Sequence, residues 1–236
     1  MGDAFKAINS SFDKLANLPW LARALVQENA DARYSAALNK YSNDPDGLAK
    51  ALANGNIDTS NVTDMHNMFG VNLNYLDEPL INMSFTNIDV SGWDTSNVTN
   101  MSMMFSGCSN LTNIDVSGFD TSKVTNMRGM FNECKKLTTL DVSNWNVSNV
   151  TNMRSMFKHC DNFTTLDVSN WNVSNVIDMQ KMFYFCWDLT KLDVSKWDTS
   201  KVTDINNMFV GCNSLTALDL SNWNVSKATT SYNIFD

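Results

Sequence analysis

The chain is poor in residues that bend a backbone or carry charge. It has 3 prolines and 9 glycines in 236 residues, which excludes collagen-like and linker-like compositions. Charged residues make up 18%, below the quarter usual in globular domains, while an apolar content of 43% suits a folded core. The balance is −8 with an isoelectric point near 4.6. A basic footprint for phosphate is missing, so nucleic acid is not an expected partner. No stretch approaches the ~18 continuous apolar residues of a membrane helix, and insertion into a bilayer is not expected. The start, Met1-Gly2-Asp3-Ala4-Phe5-Lys6, lacks a basic region followed by an apolar one. Lys6 stands where a myristoylation signal has Ser or Thr. Histidine is confined to His66 and His159, in different repeats. The 5 cysteines are an odd number, without metal-site spacing. There is no Gly-rich phosphate loop and no nucleophile with a partnered base. The expectation is a protein without enzyme activity, cofactor or metal.

What the sequence does have is period. Asp89, Asp115, Asp141, Asp167, Asp193 and Asp219 are each 26 residues apart, and so are Cys108, Cys134, Cys160, Cys186 and Cys212. Trp93, Phe119, Trp145, Trp171, Trp197 and Trp223 keep the same step. The full repeats are 89–114, 115–140, 141–166, 167–192 and 193–218, with partial ones at 58–88 and 219–236. The first partial unit carries an insert, roughly Gly70–Leu80, expected to be a protruding loop. A period of 26 lies in the leucine-rich-repeat range. Leu111-x-x-Ile114-x-Val116 reads as a short strand, and Val98, Met101, Met104 and Phe105 as one face of a short helix or 3₁₀ turn. The expected fold is an α/β repeat solenoid over 56–236, leucine-rich-repeat-like and right-handed, with coils sharing one core.

Residues 1–55 read as an α-helical cap for that core. Phe5, Ile8, Phe12, Leu15 and Leu18 recur at helical spacing. Pro19 suits the first turn of a second helix, and Asp44-Pro45 starts a third. An independent helical partner-binding module is the alternative. No cap is evident at the other end, which could support self-association.

The recurring pattern LTxLDVSxWxxSxVTNMxxMFxxC resembles the BspA-type leucine-rich repeats of bacterial surface proteins, in the variant common in mycoplasma-type surface lipoproteins. The resemblance covers about 58–236. It implies a cell-surface or secreted protein with an adhesin-like role.

Columns that stay constant have constant neighbours, so packing is their first explanation. The Cys column reads as small buried hydrophobes. The Met columns, led by Met101 and Met104, read as flexible core filler, and the Trp/Phe column as an aromatic stack. The Asp89 column points outward as acceptors stabilising turns, with a weak cation ladder as the alternative. Asp94, Asp120, Asn146, Asn172, Asp198 and Asn224 share only a side-chain oxygen, which suits backbone donors in a bend.

Stacking does not fix the variable positions after each Met-Phe pair. There one repeat places Tyr184, Phe185 and Trp187 where the others are polar. Lys158 and His159 lie one repeat earlier, with Arg154 and Arg128 on the adjoining column. Solvent-side aromatics edged by cations have hot-spot composition. This is the candidate binding site, for a protein or glycan ligand. The functional expectation is a surface or secreted binding module. An intracellular interaction scaffold, with free thiols and a cytoplasmic location, is the rival, and a structural spacer the third reading.

Overall fold

A computed structural model describes residues 59–70, 86, 88–229 and 233–235. The expected helical cap at 1–55 and nearly all of the insert lie outside these residues. What is described is a stack of coils whose chemistry repeats at the sequence period. Isolated parallel bridges join Asp64 to Asn100, then Asn126, Asn152, Asp178 and Asp204 in turn, with one more between Thr165 and Lys191.

The α/β description is overturned. The described residues contain no α-helix, no 3₁₀ turn and no strand beyond those isolated bridges. The leucine-rich-repeat-like solenoid expected from the period is corrected to a stack of coils built of turns. The Met-Phe segment shows why a helix does not form. Met103 has φ +56° and Gly107 φ +79°, and Gly129/Glu133, Ser155/His159, Lys181/Phe185 and Asn207/Gly211 repeat that pair. A left-handed residue at every fourth position stops helix propagation. The N–H groups then alternate in destination. Met104, Ser106 and Cys108 donate to Met101, Met103 and Phe105 within the coil, across tight turns. Positive φ at the third residue of the first and last of these turns is what type II turns require. Met101, Met103, Phe105 and Gly107 donate instead to the carbonyls of Asn126, Arg128, Met130 and Asn132 in the next coil, at 2.7–2.9 Å. In a helix these four would be spent within the chain segment. Here they tie coil to coil.

The expected strand fails for a related reason. Ile114 and Val116 are buried around an exposed Asp115, as alternation requires. Turns close in on both sides, however: Leu111 N–H donates to Cys108 and Phe119 N–H to Val116. The extended stretch between them is too short for a regular ladder.

The apolar columns meet in one continuous core. Phe69, Phe105, Phe131, Phe157, Phe183, Phe209 and Phe235 stack ring on ring at 5.3–5.9 Å. The indoles of Trp145, Trp171, Trp197 and Trp223 follow at 6.2–6.4 Å, nearly parallel. Each of those four indole N–H groups donates to a valine carbonyl of the preceding coil, such as Trp171 to Val142 at 3.0 Å. Burying a ring while satisfying its polar atom is what makes Trp acceptable so deep.

The cysteines are free and buried, with Cys212 half-buried. Each thiol donates to the Phe carbonyl of the preceding coil, as Cys160 to Phe131 at 3.2 Å. Burial pushes Cys108 and Cys212 up to about 12 and the three between them well above the ordinary thiol range. They stay protonated and serve as packing groups.

Candidate functional site

The outer turns carry the differences between coils. Their shape is set by short-range side-chain bonds. Asp115 Oδ1 accepts both the N–H and the hydroxyl of Ser117, at 3.0 and 2.7 Å, and Asp89, Asp141, Asp167 and Asp193 repeat the motif. These bonds, the serine hydroxyl first, hold Asp115, Asp141 and Asp193 below the usual carboxylate range. The column therefore acts as turn acceptors. The second Asp/Asn column does the same, as Asn146 to Ser148. A third column, not distinguished by sequence reasoning, joins them: Asn100, Asn126, Asn152, Asp178 and Asp204 each accept an N–H two residues on.

On this frame the structure brings the rings of Tyr184, Phe185 and Trp187 together. Phe185 is the centre. Its ring lies 4.2 Å from Tyr184 and 5.9 Å from Trp187, the latter edge to face at 84°. His159, one coil earlier, reaches Phe185 at 5.0 Å and Tyr184 at 5.8 Å. Its Nδ1 is 3.4 Å from Asp161 Oδ1. On the far side Phe185 rests on Gly211, where a Cβ would stand 1.9 Å from the ring. Gly211 has φ +74°, so both backbone and space call for glycine. Trp187 is 51% exposed, among the few large apolar side chains so open in the described residues.

The basic members divide. Lys158 is half-buried on the rung before Tyr184. Arg154 and Arg128 stand instead where their charges act on Asp178. That carboxyl is raised mainly by its own burial, against lowering by the Gln180 N–H and the two guanidiniums. The cation that meets the rings is Lys181, whose Nζ lies 5.4 Å from the Tyr184 centroid. Sequence reasoning missed Lys181 because it sought the aromatic patch among the positions after each Met-Phe pair, and Lys181 precedes Met182-Phe183. In the turn actually formed, the Lys181 carbonyl accepts the Tyr184 N–H, so the two side chains share one bend. Gly211 was missed as well. Its only signal is that a small residue follows Phe185 by one period.

No helix of the described residues is long and apolar enough to cross a membrane. A family model described as Mycoplasma protein of unknown function, DUF285, matches residues 48–139, 76–190 and 160–236. No curated protein and no solved structure matches the chain.

Proposed function

The chain belongs to the Mycoplasma protein family of unknown function DUF285, and for this member we propose a binding module without catalytic activity that recognises a protein or glycan through its outer turns. The observation that carries the reading is the half-exposed Trp187, standing on a packed cluster in place of the polar residues of other coils. A large ring kept in solvent at a position that stacking does not dictate suits a contact surface. The kinship with BspA-type surface repeats belongs to this proposal, resting on the recurring positions, and with it an adhesin-like role at the cell surface.

Two measurements test it. Purified full chain is screened against extracellular-matrix proteins and a glycan array, and every hit is repeated with Trp187→Ala and Tyr184→Ala. Truncating a central aromatic should weaken binding by about tenfold or more. Hits that ignore both substitutions would remove the patch from the proposal. Protease treatment of intact cells should release peptides of this protein. Protection until lysis would overturn the surface reading in favour of an intracellular scaffold.

A further inference from the structure

We infer that the cluster is a stacking platform for an uncharged sugar, a pyranose unit of a neutral glycan, with the indole of Trp187 as its floor. This rests on the reading above that the patch binds, and narrows it to one ligand chemistry.

The platform is held in place before any ligand arrives. Phe185 is seated on Gly211, closed on its other side by His159, and abutted by Trp187. An indole set at right angles against Phe185 and open over half its surface gives a braced apolar platform. Such a face loses little conformational freedom when a second rigid ring covers it.

The rungs beside Trp187 supply the polar half of the recognition. Asp188 N–H donates to the Asp161 carbonyl at 3.1 Å, and Ser214 N–H to the Trp187 carbonyl at 3.2 Å. These bonds set the register, so Asp161 and Asn213 occupy Trp187's own position in the coils before and after. Asp161 Oδ1 is enclosed near His159, while 27% of the side chain stays open to solvent. Asn213 is exposed. A carboxylate accepts hydroxyl protons, and a carboxamide both donates and accepts. Together they match the hydroxyl rim of a sugar whose C–H face lies on the indole.

Charge decides which sugar. Lys181 over Tyr184 and Lys158 on the rung before it are offset by Asp161 and Asp188 beside Trp187, on a chain whose net charge is −8. Nothing there favours a carboxylated or sulfated ligand, and the carboxylate beside the platform opposes one.

The test uses the purified full chain on an array of neutral hexose and N-acetylhexosamine oligosaccharides beside their sialylated and sulfated counterparts. Neutral glycans should bind. Trp187→Ala should weaken them by about tenfold or more, Trp187→Phe should keep most of the binding, and Asp161→Asn or Asn213→Ala should cost about three- to tenfold. Thermal midpoints report folding, and the Trp187 and Asn213 variants, being at exposed positions, should leave them unchanged. Binding confined to sialylated or sulfated glycans, lost with Trp187→Ala, would overturn the neutral-sugar inference and leave the patch a binding site. A protein ligand lost with Trp187→Ala, without any glycan binding, would do the same. Ligands indifferent to Trp187→Ala would sink both readings.

Discussion

At the scale of single residues, the molecule depends on backbone angles that side chains resist. Among the described residues, nine non-glycine residues have positive φ, including Met103, Ser155, Lys181 and Phe185. Each costs some free energy, offset at Asn67, Met103, Glu133, Ser155, His159, Lys181 and Phe185 by an N–H bond to the next coil. Gly211 combines the angle with a steric demand. Gly211→Ala would drive a methyl into the Phe185 ring at a left-handed position, with an expected loss of about 1–3 kcal/mol. Denaturant unfolding measures it. The same variant should also loosen Phe185, so a fluorescence change localised near Trp187 is expected even where the fold survives.

At the scale of the coil, stability comes from stacked columns more than from any local element. Trp171 has aromatic neighbours in both adjoining coils at 6.4 Å, while the half-buried Trp223 closes its column against Trp197. Trp171→Ala should therefore cost about 3–5 kcal/mol, and Trp223→Ala clearly less. Equal losses in urea titrations would contradict the stacked-core account. Much of this was legible in the sequence. Repeat length, the buried Cys, Met and Trp columns, and the outward Asp column follow from spacing alone. The backbone path did not. Val98, Met101, Met104 and Phe105 have helical spacing, yet a chain of turns buries the same residues, because apolar period reports which side chains face inward and not how the N–H groups are spent. The aromatic cluster was legible as variation against a constant background. The cation over its tyrosine, Lys181, lies before the Met-Phe pair and so outside the positions that vary after it, and Arg128 and Arg154 stand where their charges act on Asp178, which the sequence alone does not place near them.

At the scale of the whole molecule, the aspartate turns couple the fold to acid. Asp115, Asp141 and Asp193 have folded pKa values below their unfolded ones. Their contribution is present above the ordinary carboxylate range and is lost as pH falls below about 4. Asp178 runs the other way. Burial raises its folded pKa, so its charge weakens the fold at neutral pH and protonation relieves it. Thermal melts between about pH 7 and pH 3 should show the midpoint falling below about pH 4. Asp178→Asn, which copies the residue of the three preceding coils, should raise the midpoint at neutral pH, with a gain that shrinks on acidification. A midpoint insensitive to acid would remove the serine-capped aspartates from the stability account.

The coil-to-coil bonds carry one more consequence, for inheritance. Met101, Met103, Phe105 and Gly107 all donate toward the following coil, and their counterparts in the next three coils, through Phe185, do likewise. The fully described junctions are thus made by the same groups in the same sense. A tandem duplication or loss of 26 codons in frame brings together ends that already fit, and the protein changes length without learning a new contact. A slip of one codon puts a carbonyl where a donor is needed along an entire junction. The gene can be lengthened or shortened in whole units, while the surface of each unit stays free to diverge.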